Sequence, residues 1–306
     1  MNNGKVEWGG VFPAIITPFT KSGEIDETKF RDLLDLLISE GIDGVVVAGC
    51  TGESWALKGE ERLHLFRLAV DVAQGRIPVV GSTSGIITNE VMELSKATKE
   101  TGAEGVMILP PYFARVGRRE VIHHYKVISD GAQVPIMLYN LPNRTNVNLT
   151  PDLLDELVDI EWIVAIKESH DDFPQFEATV AAVGDRIQVF TGNSANRGLA
   201  AAMMGAVGFV GAFEPQILGA EGISLFELSV SGKLEEARRV QNRTLAVNSA
   251  VRGIGTAPAN LKAALNLIGR PGGHVRPPLL DLDEAQTEQM RRVVGDFGLL
   301  TLSAAE

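Results

Sequence analysis

Lys167 follows the apolar run Ile163-Val164-Ala165-Ile166 in a chain of 306 residues. A lysine carried at the end of a buried strand has its amine partly withdrawn from water. Its pKa falls and it becomes a nucleophile towards carbonyl carbon. The other reading is an amine that reaches solvent along its stem or pairs with the adjacent Glu168. Tyr139 holds the matching place one strand earlier. Parallel neighbours lie about 4.8 Å apart, so its hydroxyl can approach the lysine nitrogen and pass protons during imine formation. A strand-end aromatic with no such role is the alternative. Thr51 and Gly52, within Gly49-Cys50-Thr51-Gly52-Glu53-Ser54, form a tight polar turn. Its N–H groups and the threonine hydroxyl suit a carboxylate, unless it is an ordinary glycine turn. Arg144, within Tyr139-Asn140-Leu141-Pro142-Asn143-Arg144-Thr145, can take a second carboxylate in bidentate fashion or make a surface salt bridge.

Other chemistries lack their residues. There is no GxGxxG fingerprint and no Walker-type loop. Gly81-Ser82-Thr83-Ser84-Gly85 has threonine where a nucleophile elbow needs serine. His64, His123, His124, His170 and His274 form no HxH or HExxH pair, so no metal site is expected. The single cysteine, Cys50, excludes a disulfide framework within one chain. A net charge of −11 argues against a nucleic-acid or anionic-membrane surface. The longest uncharged stretch, Gly198 to Phe213, is shorter than the ~20 residues of a membrane helix. The first ten residues lack the apolar stretch of a signal peptide, and a cytoplasmic enzyme is expected.

The elements that must position these residues alternate along the chain. Short apolar runs, typical of strands buried on both faces, occur at Val11–Ile16, Gly44–Ala48, Ile77–Gly81, Gly105–Leu109, Pro135–Tyr139, Trp162–Ile166, Ile187–Phe190 and Val207–Ala212. Amphipathic segments between them read as helices, one opening at Thr150-Pro151 with a threonine cap and a proline at the first helical position. Eight strand–helix repeats predict an α/β fold, a (β/α)8 TIM barrel, over residues 1–215. An open doubly wound sheet rarely needs so many. After Phe213 only helices are predicted, among them Gln216–Ser231 and Lys233–Val251, so residues 216–306 form a C-terminal helical region packed on the barrel. Such barrels keep their chemistry at the C-terminal ends of the strands, where Lys167, Tyr139, Thr51 and Arg144 all fall.

Together these motifs, with Phe12-Pro13-Ala14, Thr17-Pro18 and Ile166-Lys167-Glu168, resemble the dihydrodipicolinate synthase/N-acetylneuraminate lyase family of pyruvate-dependent barrels. The resemblance runs from Phe12 to the helices after the barrel. It implies a cofactor-free lyase in which Lys167 forms a Schiff base with pyruvate or a related 2-oxo acid and Tyr139 serves as general acid and base. Thr51 and Gly52 match its carboxylate-binding turn, Arg144 its aspartate-semialdehyde carboxylate partner, and Val210 a position lining the pyruvate pocket. A homotetramer built as a dimer of dimers is implied as well.

The chain departs from the synthase branch of that family at two places. Cys50 stands where the branch has threonine, and Phe113 where it has the second tyrosine of a pair that reaches across a subunit interface. Cys50 thus stays among the residues around the substrate, but a thiol replaces a hydroxyl poorly and phenylalanine has no proton to pass. Aldol cleavage, or dehydration of a longer 2-oxo acid, is expected ahead of condensation of pyruvate with aspartate semialdehyde to 4-hydroxy-tetrahydrodipicolinate. A non-catalytic 2-oxo-acid-binding protein is the remaining reading. The regulated branch binds lysine at that interface. The matching positions here are Trp55, Gly59, Arg62 and Ile86, with Tyr112 and Glu90 kept, and no feedback by lysine is expected.

Overall fold

The computed structural model describes residues 6–300. Eight parallel strands form the sheet: β1 Gly10–Val11, β2 Val45–Val47, β3 Val79–Ser82, β4 Gly105–Ile108, β5 Ile136–Asn140, β6 Ile163–Glu168, β7 Gln188–Thr191 and β8 Gly208–Phe209. β1 pairs with β8 and each later strand with its successor from β2 to β8. Between β1 and β2 the ring closes through a bridge of Ala14 to Val46. The segment after β1 serves both neighbours. Its Phe12 and Ala14 N–H groups donate to Phe209 and Gly211, while Pro13 accepts from Val46 and Ile15 donates back to it. Pro13 has no N–H to give to a regular ladder, so the run expected as one strand from Val11 to Ile16 is short and divided.

Seven helices follow strands one to six: α1 Glu27–Ser39, α2 Gly59–Ala73, α3 Thr88–Lys99, α4 Arg118–Ala132, then α5 Pro142–Thr145 and α6 Pro151–Leu157 in succession, and α7 Phe173–Val183; α8 Ser194–Met203 follows β7 and precedes β8. The chain continues in α9 Glu214–Leu218, α10 Ala220–Val230, α11 Leu234–Arg252, α12 Ala259–Leu267 and α13 Glu284–Asp296. Asp26 caps α1 by accepting from the Lys29 N–H. Thr150 makes no such cap on α6; its hydroxyl donates to the Asp152 carboxylate instead. The helix expected over Gln216–Ser231 breaks at Gly219, which has φ 57° and ψ −136°. A Cβ there would collide with the Arg270–Glu40 ion pair.

Side chains alternate between two cores. Inside the ring lie Phe12, Val46, Val80, Met107, Met137, Tyr139, Ala165, Phe190 and Val210. Outside it Val106, Ile108, Ile136, Leu138 and Ile166 pack on the helices. The last third of the chain shares the core of the first: Leu261, Leu265, Met290 and Val294 pack in one cluster with Phe19, Phe30 and Leu33. Among the described residues no helix is long and apolar enough to cross a membrane.

Candidate active site

Lys167 lies inside β6 rather than just after it, level with Tyr139 of β5. A register irregularity sets that level. Ile136 pairs with Ile163 and Met137 with Ala165, so Val164 is an extra residue on β6. Were Val164 paired in an unbroken register instead, Ile166 would stand beside Tyr139, because a one-residue slip exchanges the faces of a strand. Lys167 therefore points inward and Glu168 outward. Glu168 accepts from the Asn140 amide at 3.0 Å and from the His170 N–H at 2.7 Å, and it does not pair with Lys167.

The lysine is 5% exposed. Loss of water lowers its pKa to about 8, with Cys50 and Glu214 acting the other way. Its amine stands over the Tyr139 ring, 4.2 Å from the centroid. The pair expected from the sequence is close, but the contact is amine to ring face rather than amine to hydroxyl. Burial pushes the Tyr139 phenol well above its usual pKa, and Cys50 adds to the effect; Ser169 and Arg144 oppose it. Gly192, at the end of β7, leaves room for the lysine: a Cβ there would lie 2.8 Å from Lys167 Cε and collide with the Ser169 hydroxyl.

Lys167 and Tyr139 line a cavity of about 480 Å³ together with Cys50, Thr51, Arg144 and Val210, a volume suited to a small metabolite. Neither the Thr51 nor the Gly52 N–H is taken by an acceptor among the described residues. Gly52 itself is buried behind the cavity. Its Cβ position is 3.0 Å from Ala48 Cα and the Ile15 carbonyl, and its own carbonyl accepts from Thr17. Glu53 then turns through a left-handed backbone (φ 56°) and is fully buried against Lys262 of α12. Its second oxygen accepts from the Arg276 N–H at 3.1 Å. The Thr51 turn is thus fastened to the C-terminal helices.

Arg144 sits on α5, a single helical turn directly after β5. Asn140 steadies the segment after it by accepting from the Leu149 N–H at 3.0 Å. Among the described residues Arg144 has no ion pair and projects at the exposed rim of the cavity. Among the lining residues that the sequence does not single out are Glu214, Asn248 and Arg252. Glu214 had a signal, since it is the first charge after a long uncharged run. Asn248 and Arg252 come from α11, far from any strand end. Arg252 lies over the Phe213 ring, 5.5 Å from its centroid.

The same chain organisation recurs in known proteins. The model of the dihydrodipicolinate synthetase family matches residues 7–296. The chain is 35% identical over 303 residues to an uncharacterized DapA-like lyase of Rhizobium meliloti, covering 98% of this chain and 99% of that protein. It is 34% identical over 292 residues to the 4-hydroxy-tetrahydrodipicolinate synthase of Oceanobacillus iheyensis, covering 95% and 98%. Among solved structures it is similar to YagE, a prophage protein of the dihydrodipicolinic acid synthase family from E. coli K12 in complex with pyruvate. The TM-score is 0.90 at 27% identity, over 96% of this chain and 100% of that one.

Proposed function

Because the chain belongs to the dihydrodipicolinate synthetase family, we propose that it is a lyase whose Lys167 forms an imine with pyruvate or a related 2-oxo acid. The observation that carries this is the environment of Lys167: an amine buried in a cavity, with its pKa lowered to about 8 by loss of water. The neutral amine adds to C2 of the oxo acid, and loss of water leaves an iminium ion. The iminium accepts the electrons of the C3–H or C3–C4 bond and becomes an enamine. Carbon–carbon bond making, bond breaking and dehydration all pass through that enamine. The free N–H groups of the Thr51 turn hold the C1 carboxylate. Tyr139 carries the proton from the attacking amine to the departing hydroxyl. Val210 and Cys50 bound the space around C3. Incubation with pyruvate and borohydride should add the mass of the reduced adduct to the peptide carrying Lys167. An unmodified Lys167, or equal trapping by Lys167→Ala, refutes this mechanism.

A second activity, condensation of pyruvate with aspartate semialdehyde, is favoured by the unpaired Arg144, which suits a second acid group. Cys50 beside Tyr139 and Phe113, 89% exposed, weigh against it, since neither supplies the hydroxyl of a proton relay. Turnover in that condensation should fall far below the ~10 s⁻¹ of a median enzyme, and robust turnover would assign the synthase activity. A homotetramer belongs to the same proposal. Phe113, Trp55, Ile86 and Ile87 leave large apolar side chains exposed, Trp55 on the cavity itself, as an interface between copies requires. Sedimentation of the intact protein tests it; a monomer at micromolar concentration rejects it.

A further inference from the structure

Glu214 opens α9, immediately after β8, and lines the same cavity as Lys167 while only 2% exposed. One carboxyl oxygen takes the Ser194 hydroxyl. The other, also buried, has no hydrogen-bond partner among the described residues. Gly211 makes this arrangement possible, because a Cβ there would collide with both Glu214 and Ser194. No arginine or lysine pairs with the carboxyl among the described residues. Burial raises its pKa, opposed by Ser194 and by the charge of Lys167, so the site holds a proton more readily than an exposed carboxyl does. When protonated on that oxygen, the carboxyl has an O–H with no acceptor among the described residues.

Its placement assigns it a partner. Along the ring Tyr139 stands on one side of Lys167, one strand away, and Glu214 follows β8, two strands away on the other side. Between them, just after β7, comes Gly192, whose lack of a side chain leaves room for Lys167 and Ser169. Tyr139 and Glu214 thus line the cavity on opposite sides of Lys167, with the Tyr139 ring directly against the amine. We propose that Glu214 is a catalytic acid–base that exchanges a proton with the oxygen on C4 of the 2-oxo acid; this rests on imine formation at Lys167. In bond making, the enamine pair forms the C3–C4 bond. The aldehyde π electrons move to its oxygen, and Glu214 protonates that oxygen to a hydroxyl. In cleavage the Glu214 carboxylate removes the same proton, the C4–O double bond forms, and the C3–C4 electrons return to the enamine. In dehydration the enamine pair forms a C3=C4 bond, and the C4 hydroxyl leaves as water with the proton of Glu214. A proton source on this side compensates for the missing hydroxyls at Cys50 and Phe113 on the other.

The test uses the intact protein with pyruvate alone, and with pyruvate plus glyoxylate, glycolaldehyde or D-glyceraldehyde. Glu214→Gln keeps the hydrogen bond to Ser194 but has no proton to exchange. It should retain borohydride trapping and exchange of the pyruvate methyl protons in D2O within about twofold. Its carbon–carbon bond making should fall by about 100-fold or more, the range of general acid–base catalysis, and Glu214→Asp should restore part of it. Bond making at the wild-type rate, or loss of methyl exchange together with product, overturns the assignment. A wild-type protein that traps pyruvate yet joins it to none of the aldehydes overturns it too, and leaves the Lys167 imine standing. A wild-type protein that traps no pyruvate fails at the earlier step. If Glu214→Gln does not fold, Ser194→Ala decides. Product formation that drops while methyl exchange persists supports the role, and product formation that does not drop refutes it.

Discussion

The imine proposed at Lys167 would start from a neutral amine, so its rate would depend on how much of Lys167 has lost its proton. With a pKa of about 8, about one amine in ten is neutral at pH 7, against about one in 3,000 for an ordinary lysine. The shift carries a sign for stability. The folded value lies below the unfolded one, so the cost of burying the charged amine is present below about pH 8. It is relieved as pH rises towards the unfolded value. The rate of pyruvate imine formation, followed in single-turnover trapping, should climb about tenfold per pH unit below 8 and level off above it. A profile still climbing through pH 10 would mean that burial does not tune this amine. Tyr139→Phe keeps the ring beneath the amine and removes only the hydroxyl. Trapping should slow by about 100-fold, and an unchanged rate would transfer the proton-carrying role to another group.

Between residue and fold stand the elements that aim these side chains, and their most exacting joint is the buried pair Glu53–Lys262, 0% and 1% exposed. Lys262→Met would leave a carboxylate buried without its counter-charge, a loss of about 3–5 kcal/mol, readable as a lower urea midpoint. Glu53→Gln added to Lys262→Met should recover part of that loss, and additive losses would rule out a coupled pair. The strands themselves were legible because a strand buried on both faces is written as an unbroken apolar run. Six of the expected runs agree with their strands to within two residues at either end, whereas Val11–Ile16 and Val207–Ala212 meet strands of only two residues, Gly10–Val11 and Gly208–Phe209. Lys167, Tyr139, Thr51 and Arg144 were found by the same logic, as polar residues where such runs stop. The extra Val164 was not legible, since a bulge in an apolar run changes no residue type. Nor was the short turn Pro142–Thr145 that carries Arg144. Asn248 and Arg252 stayed hidden because their helix reaches the cavity only through tertiary packing.

Taken whole, the molecule is a barrel whose cavity is finished by helices from its last third. Residues on α11 and α12 line it, and their core is continuous with that of α1. The face carrying Trp55 and Ile86 bears on regulation. There the Arg62 guanidinium is occupied by the Ser84 carbonyl at 2.9 Å and the Ser54 carbonyl at 2.6 Å, and Trp55 is 48% exposed. A free lysine binding here would meet an arginine opposite its ammonium groups and no hydrogen-bond partner in Ile86. Millimolar binding is worth only about 4 kcal/mol, less than such unpaired charges cost when buried. Calorimetric titration with lysine should give no saturable heat. Saturable binding that also lowers activity would reverse this.

The joint between Glu53 and Lys262 spans 209 residues of sequence, and a ribosome delivers its two halves at different times. At roughly 5–20 residues per second, Glu53 emerges about 10–40 s before its partner. Throughout that interval the strand-2 turn has a carboxylate to hide and lacks the lysine that covers it in the folded chain, so the proposed oxo-acid pocket is without its fastening. A nascent chain that ends before α12 should therefore lack catalytic competence, however complete its barrel strands. Binding of pyruvate by the growing polypeptide should appear as a late step at the close of synthesis rather than as a gradual gain.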